Sequence, residues 1–284
     1  MTAAFNVESH MKDIFNKSIL VSAHPDDEVL WCSSVLDKVN KIVICFLGVE
    51  SKRETQLGRQ RSLAEHPLKN IACLGLDEAG TFYGVDWNNP VLTPYGIKIA
   101  DRKYPDKTYR ENYHRLRDHL QTRLEGCSNV FTHNPWGEYG SDEHIQVYRV
   151  ISDLQESMRF KVWFSNYASN KSFRLMMDYM NKTDLEHVTV KTNIELAHTV
   201  KSLYARNHCW TWYDDWQWQS EESFISEKTP NQPAEFRCAI PINVIKVWLP
   251  SKPGTEDQVR SQLLSTGLVG KIVAKLTKNS YKEA

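Results

Sequence analysis

The chain has 284 residues, a length that allows either one large α/β domain or two small ones. Lysine plus arginine total 35, and aspartate plus glutamate also total 35. The balanced charge excludes a strong global field that would draw the protein onto nucleic acid or an acidic membrane. We expect one domain over residues 1–284, with no nucleic-acid partner and a small-molecule substrate.

The six cysteines have no Cys-x-x-Cys spacing, and the first three, Cys32, Cys45 and Cys73, lie in apolar segments. Buried free thiols often have this setting, which favours a reducing compartment. The first 18 residues contain charge throughout and lack the apolar core of a signal peptide. No later stretch reaches membrane-spanning length. We therefore expect a soluble, cytoplasmic protein without an integral membrane segment.

Apolar runs alternate with segments of helical spacing along the first 165 residues. The runs predict strands at 18–23, 41–48, 129–132 and 161–165, and the spacing predicts helices at 26–39, 54–74, 109–124 and 143–154. Pro67 must kink or split the second helix, and residues 75–105 indicate a surface loop. This order predicts an α/β fold: a Rossmann-like, doubly wound parallel sheet flanked by helices, with ligands beyond the strand carboxyl ends.

The last third of the chain is less regular and is interpreted as a mixed C-terminal extension. We predict a helix at 194–206, an aromatic cluster at 209–218, β-like runs at 240–249 and an amphipathic helix at 258–277. Docking of the last helix onto the body is favoured over a membrane-surface role. The aromatic cluster is interpreted as packing rather than as a sugar-binding wall. On this view the core covers about residues 18–170, and residues 171–284 complete the same domain.

Two segments place histidine beside carboxylates at predicted strand ends. Ala-His-Pro-Asp-Asp-Glu occupies residues 23–28, and Thr-His-Asn-Pro-Trp-Gly-Glu-Tyr-Gly-Ser-Asp-Glu-His occupies residues 132–144. Helix capping alone explains the proline and the acidic residues of the first segment. However, His24 followed three residues later by Asp27 can place two metal ligands on one side of a turn. Catalytic zinc takes three protein ligands, and the second segment offers another histidine.

Together these segments resemble the LmbE/PIG-L deacetylase family, directly over about residues 18–50 and 129–150 and more loosely between them. The resemblance implies Zn²⁺, or another divalent metal, held by His24, Asp27 and His144. It makes Asp26 the general base that deprotonates zinc-bound water and Tyr139 a donor to the oxyanion. The implied reaction is hydrolysis of the N-acetyl amide of an amino sugar or its glycoconjugate. A homo-oligomer is compatible with the resemblance.

Other residues receive supporting roles. Trp136 lies inside the second segment and is predicted to line the substrate pocket. Arg61, with Glu65, loosely resembles a family arginine and acid pair near the site, and a helical salt bridge is the alternative. Glu28 is predicted to cap the helix or to support a metal ligand by a hydrogen bond.

Ser141 departs from the family pattern, in which a histidine three residues before the last ligand protonates or stabilises the leaving group. A serine hydroxyl cannot act as an acid near neutral pH. Three hypotheses stay open. In the first, Asp26 delivers to the leaving group the proton that it has accepted. In the second, another residue such as His133, Glu143 or His66 takes the role, although His133 can also simply order its loop. In the third, the chain binds zinc without efficient turnover.

Rival functions follow from the same residues. A nucleotide-binding Rossmann protein is disfavoured because no Gly-x-Gly-x-x-Gly follows the first strand. A zinc amidase or deformylase acting on another acyl group uses the same ligands and stays open. A zinc-containing binding protein is the alternative that is not an enzyme.

Overall fold

A computed structural model describes residues 13–48, 52–227 and 239–247. Its strands are β1 Ser18–Ser22, β2 Lys41–Gly48, β3 Ile71–Asp77, β4 Leu92–Thr93, β5 Gly96–Ile97, β6 Asn129–Thr132, β7 Lys161–Ser165, β8 Tyr167–Ser169, β9 Leu185–Lys191, β10 Glu221–Glu227 and β11 Asn243–Ile245. Its helices are α1 Asp27–Trp31, α2 Arg53–Ala64, α3 Asp106–Arg123, α4 Asp142–Met158, α5 Phe173–Met180 and α6 Ile194–Arg206, with 3₁₀ turns at Ser33–Val35 and Phe82–Gly84.

Seven strands form one sheet in the order β3-β2-β1-β6-β7-β10-β9. The first five are parallel neighbours, whereas β10 runs antiparallel to both β7 and β9. The chain builds outward from β1 to β3 and then returns to the other side of β1 to add β6 and β7. This reversal is the topological switch point at which open α/β sheets bind ligands. The predicted α/β fold with a largely parallel sheet is confirmed.

The sheet is buried because helices cover both of its faces. Alternate residues of a strand point to opposite faces, so Val21 packs in the layer that contains Leu116 of α3. Its neighbour Leu20 packs in the layer that contains Val29 of α1 and Val200 of α6. All five residues of β1 are buried, which explains why this strand is a continuous run in the sequence.

The predicted helix at 54–74 is wrong in its second half. Helix α2 ends at Ala64, and residues Ile71–Asp77 form β3, which pairs with β2. Pro67 lies between them; it lacks the backbone N–H that a helix needs, and its ring disfavours helical geometry in the residue before it. The chain therefore leaves the helix early enough to add another parallel strand.

The predicted helix at 26–39 is also too long, because α1 stops at Trp31 and a 3₁₀ turn follows. The reason is a contact from β10 that is distant in sequence. The Glu222 carboxylate accepts hydrogen bonds from the Ser33 hydroxyl at 2.8 Å and the Ser34 backbone N–H at 2.7 Å. These bonds compete with the helical pattern over the two serines.

The predicted strands at 18–23, 41–48, 129–132 and 161–165 correspond to β1, β2, β6 and β7, and the helices at 109–124, 143–154 and 194–206 to α3, α4 and α6. The helix predicted at 258–277 lies outside the described residues. Contacts divide the chain into Met1–Ile245 and Lys246–Ala284, and the single domain over 1–284 stays a prediction. Within the described ranges, no helix is both long and apolar enough to cross a membrane.

Candidate metal centre

The ends of β1 and β6 lie side by side and carry the two histidine-containing segments. The strands pair in parallel, with Val21 opposite Thr132. His24 follows two residues after β1, and His133 follows directly after β6. Parallel strands end at the same edge of a sheet, so both segments enter the same crevice at the switch point.

A tight turn after β1 carries two carboxylates, Asp26 and Asp27. Asp26 has a left-handed backbone with φ of 97° and is the N-cap of α1. An uncommon conformation of this kind in a residue other than glycine is a feature of functional sites. The Asp27 Oδ2 atom accepts a hydrogen bond of 2.8 Å from the His24 backbone N–H. The turn thereby holds the Asp27 carboxylate against His24.

Three side chains converge as a possible metal site: His24, Asp27 and His144 each offer one ligand atom, and these atoms lie within 4.8 Å of one another. His24 Nδ1 is 2.9 Å and His144 Nε2 is 3.1 Å from Asp27 Oδ2. His144 Nε2 is buried and has no hydrogen-bond partner within the described ranges. Two imidazoles and one carboxylate are the donors of many catalytic zinc sites, so this set fits a zinc ion.

Glu138 fixes the orientation of His144 from behind. Its Oε2 atom is 2.8 Å from His144 Nδ1, so the Nδ1–H donates to the carboxylate and Nε2 is left as the ligand atom. The same carboxylate accepts hydrogen bonds from the Asn134 backbone N–H and the Ser165 hydroxyl. Gly137, with φ of 72°, allows the turn, since a Cβ there would lie 2.4 Å from the Ser141 carbonyl oxygen.

The other two ligands are also held by defined partners. His24 Nε2 is 2.7 Å from Glu143 Oε2, and Glu143 Oε1 accepts a hydrogen bond from the Ala79 backbone N–H. The Trp31 indole N–H donates to Asp27 Oδ1 at 2.9 Å. Each ligand therefore has an outer hydrogen bond that limits its rotation.

The electrostatics of the three ligands favour protons in the metal-free protein. Burial lowers the pKa of His144, but Asp27 and Glu138 outweigh it and raise that pKa to about 9. Burial also lowers the pKa of His24, but the nearby Asp27 and Glu78 carboxylates outweigh burial and raise this pKa well above its ordinary value. Burial raises the pKa of Asp27, but the facing His144 and His24 hold it well below its usual range.

Residues 19–154 match the model of the family described as PIG-L: GlcNAc-PI de-N-acetylase. These residues include both strand ends and all three converging ligands. This part of the chain is therefore similar to the PIG-L (LmbE-like) family.

Proteins similar to this chain are named as deacetylases. A 1D-myo-inositol 2-acetamido-2-deoxy-alpha-D-glucopyranoside deacetylase of Corynebacterium diphtheriae is 27% identical over an alignment of 172 residues that covers 52% of this chain and 55% of the relative. The chain thus spans about half the length of that relative.

Two solved structures are similar at lower identity. The zinc-inhibited form of teicoplanin deacetylase Orf2 has a TM-score of 0.46 and 10% identity, covering 75% of this chain and 99% of that chain. The A40926 pseudoaglycone deacetylase Dbv21 has a TM-score of 0.43 and 13% identity, covering 74% and 96%.

Four further predicted residues lie near the candidate ligands. Tyr139 is half-buried, with its ring edge on His144 at 5.2 Å between centroids. Glu28 supports no ligand directly: its carboxylate accepts the Asp26 backbone N–H and the Tyr204 hydroxyl. His133 stacks on His144 at 3.7 Å and accepts the Ala23 backbone N–H at Nε2. Glu143 binds His24, as described above.

Two predicted substrate contacts do not lie in the crevice. Trp136 is fully buried, packs against Phe164 and Tyr179, and donates its indole N–H to a backbone carbonyl. It is a core residue because its loop turns the ring inward, so its assignment to the pocket wall is corrected. Arg61 is exposed on α2 and bonds to Asn207, so its placement at the site is corrected as well.

Arg59 takes the place that was expected for Arg61. Its guanidinium is buried and contacts Glu78 at 2.5 Å. Burial lowers the pKa of Arg59, but the charges of Glu78, Asp26 and Asp27 outweigh burial and raise this pKa. The small residues Gly58 and Ser62 are buried on α2, on the face of the helix that Arg59 shares. They are the sequence signal that Arg59, and not Arg61, lies on the buried face.

Glu138 and the segment Cys209–Trp216 were also missed as parts of the site. Glu138 lies inside the second motif segment, six residues before the predicted ligand His144. This position was the sequence signal that its carboxylate could support the ligand. Thr211 bonds to Asp26, and Trp212 packs against Tyr139 at 5.0 Å between centroids. No local pattern connects this segment with residues 23–28, since the contact depends on the tertiary fold.

Glu138→Gln tests the support of His144. The amide keeps the size of the carboxylate but removes the negative charge that holds the Nδ1–H, so we expect zinc affinity to fall about 10- to 100-fold. Competition with a chromophoric chelator measures the affinity. Glu222→Gln is the matched control, because Glu222 is also a buried, hydrogen-bonded carboxylate but does not contact a ligand. Equal affinities for wild type and Glu138→Gln would contradict the role.

Zinc binding is expected to release protons. The pKa values of His24 and His144 are raised, the latter to about 9, so the protonated form of each ring is favoured and the metal must compete with protons. Affinity should therefore increase as pH rises toward 9, and the number of protons released per zinc at pH 7 should be greater than zero. Titration calorimetry in buffers of different ionisation enthalpy measures this number, and release of no proton would refute the prediction.

Proposed function

We propose that this protein is a zinc-dependent deacetylase that hydrolyses the N-acetyl amide of an amino sugar or its glycoconjugate. One observation carries the proposal: the ligand set His24, Asp27 and His144 lies beside Asp26, whose Oδ1 atom is buried without a hydrogen-bond partner in the described part of the chain. The family description and the name of the Corynebacterium relative point to the same bond.

Asp26 is suited to accept the proton of the attacking water. His24, Asp27 and His144 would hold the zinc ion, which would supply a Lewis acid for the amide carbonyl and lower the pKa of the attacking water. Asp26 adjoins a ligand in sequence, and one of its oxygens is held by Thr211 while the other stays open. A fixed carboxylate with one open oxygen is the arrangement that a general base needs.

Tyr139 is suited to donate a hydrogen bond to the amide oxygen as its negative charge develops. Its ring lies against His144 and is packed by Trp31 at 5.6 Å and Trp212 at 5.0 Å. Burial raises the pKa of Tyr139 well above its ordinary value, and the Asp27 carboxylate adds to the shift. The phenol therefore keeps its proton at neutral pH and acts as a donor held in position before the reaction.

Asp26 is also the favoured source of the proton for the departing amine. Ser141 uses its hydroxyl to accept the His144 backbone N–H at 3.3 Å. His133 has its Nε2 bonded to Ala23 and its Nδ1 turned to Glu138 at 3.3 Å. Glu143 has both oxygens engaged. Burial, followed by the neighbouring Asp27 carboxylate, raises the pKa of Asp26, so it can hold the proton and return it.

Trp212 and Arg59 replace Trp136 and Arg61 as proposed substrate contacts. Trp212 is half-buried and forms part of an aromatic wall with Tyr139 and Trp31. An aromatic face of this kind suits the apolar face of a sugar ring. Arg59 brings a guanidinium, fixed by Glu78, to the side of the site near Asp26, where its donors suit sugar hydroxyls.

Ser141 keeps a second function open, because its hydroxyl caps α4 and supplies no acid. The alternatives are a zinc amidase or deformylase that acts on another acyl group, and a zinc-binding protein with weak turnover. Metal analysis followed by parallel assays separates them. Acetate release from N-acetyl amino sugars, free and nucleotide-linked, supports the deacetylase; formate release from N-formyl analogues redirects the acyl group; and zinc without any hydrolysis supports the binding protein.

Asp26→Asn tests the base. The amide cannot accept the proton, so kcat should fall by about 10²- to 10⁴-fold, while zinc content stays at the wild-type level because Asp26 is not one of the converging ligands. Asp153→Asn on the outer part of α4 is the matched control and should keep kcat. Wild-type kcat in Asp26→Asn would remove Asp26 from the mechanism.

Trp212→Ala tests the proposed wall. We expect KM to rise about tenfold with a smaller loss of kcat, since the ring contributes binding that ground state and transition state share. Trp210→Ala is the matched control, because Trp210 lies two residues away and contacts Trp218 instead of Tyr139. Steady-state kinetics on the same sugar measure both constants. A fall in kcat at unchanged KM would contradict the assignment.

A further inference from the structure

We infer that Thr211 is the positioning residue for Asp26: its hydroxyl and its backbone N–H fix one carboxylate oxygen so that the other faces the reacting water. The inference rests on the proposed function, in which Asp26 is the general base. Thr211 follows α6 and lies outside residues 19–154, the part of the chain that matches the PIG-L model.

The two hydrogen bonds converge on the same oxygen. Asp26 Oδ2 accepts the Thr211 backbone N–H at 2.8 Å and the Thr211 hydroxyl at 2.8 Å. Asp26 Oδ1 receives no hydrogen bond in the ranges that the structure describes, although it is buried. Rotation about the terminal bond of an aspartate is otherwise soft and nearly two-fold. Two donors on one oxygen therefore select one of two equivalent orientations and hold the carboxylate there.

Asp26 itself is fixed from the opposite side through its backbone. The Asp26 N–H donates to Glu28 Oε2 at 3.0 Å, and Glu28 Oε1 accepts the Tyr204 hydroxyl of α6 at 2.8 Å. The backbone of the base and its side chain are thus both tied to the part of the chain around α6. This double attachment holds a residue whose φ of 97° is costly for an aspartate.

Thr211 reaches Asp26 because the chain after α6 is attached at several points. The Cys209 backbone N–H donates to the Tyr204 carbonyl at 3.0 Å, and the Trp218 indole N–H donates to the Val29 carbonyl of α1 at 2.6 Å. Thr211 lies between these two attachments and is exposed, whereas Asp26 is 1% exposed. Thr211 therefore covers the base from the solvent side without itself belonging to the core.

The role predicts different effects for two substitutions. Thr211→Val keeps the shape and the backbone N–H but loses the hydroxyl bond, and misorientation of a catalytic group costs up to about 10²-fold in rate. We expect kcat to fall about 10- to 100-fold at nearly unchanged KM. Thr211→Ser keeps the hydroxyl and should restore kcat to within about twofold of wild type. Thr189→Val in β9, which removes a hydroxyl far from Asp26, controls for the substitution itself.

A crystal structure of each variant gives a readout that does not depend on turnover. In wild type and Thr211→Ser, Asp26 Oδ2 should face residue 211; in Thr211→Val, the carboxylate should rotate or occupy two orientations. An unchanged Asp26 orientation in Thr211→Val, or equal losses of kcat in the Val and Ser variants, would overturn the inference. If wild-type protein hydrolyses none of the sugars, the proposed function fails, and the carboxylate orientation still decides the positioning role.

Discussion

The parallel pairing of β1 with β6 is the constraint on which the candidate site depends. Because Val21 lies opposite Thr132, both strands end at the same level, and the residues that follow them occupy the same crevice. The proposed ligand set is divided between the two segments: the first contributes His24 and Asp27, and the second contributes His144. A shift of the register would move each side chain by about 3.3 Å per residue along the strand, more than the spread that a single metal ion tolerates.

Charge pairing is the second constraint, since the site is buried and unpaired charges there would be costly. Carboxylates and imidazoles alternate through the centre, in the order Glu143, His24, Asp27, His144, Glu138 and His133, with contacts of 2.7, 2.9, 3.1, 2.8 and 3.3 Å. Each inner member of this series has a partner of the other type on both sides. Ala79 and Ala23 terminate the chain with backbone N–H groups on Glu143 and His133.

The sequence was sufficient for the strands that carry the site, because continuous apolar runs and the two motif segments are local signals. It was insufficient where a distant contact decides the structure. Glu222 ends α1 early through Ser33 and Ser34, and nothing near those serines indicates it. Trp136 was placed on the pocket wall from its position in the motif, but the direction of a ring depends on the turn at Gly137.

The aromatic segment at 209–218 contains residues that pack in the core and residues that lie at the proposed substrate wall. Trp218 is buried and bonded to the Val29 carbonyl, which agrees with packing, whereas Trp212 lies half-buried on Tyr139. The division runs residue by residue: Trp212 packs against Tyr139, whereas Trp210, two residues nearer α6, contacts Trp218. Composition alone cannot distinguish these positions.

Ser141 has a structural explanation that the family comparison alone does not give. It is the N-cap of α4, and its hydroxyl accepts the backbone N–H of His144. Serine is among the best N-cap residues. The residue that departs from the family pattern thereby fixes the backbone of a proposed ligand three positions later, while Glu138 fixes the ring of the same ligand. Ser141 thus contributes to holding the proposed metal ligand rather than to proton transfer.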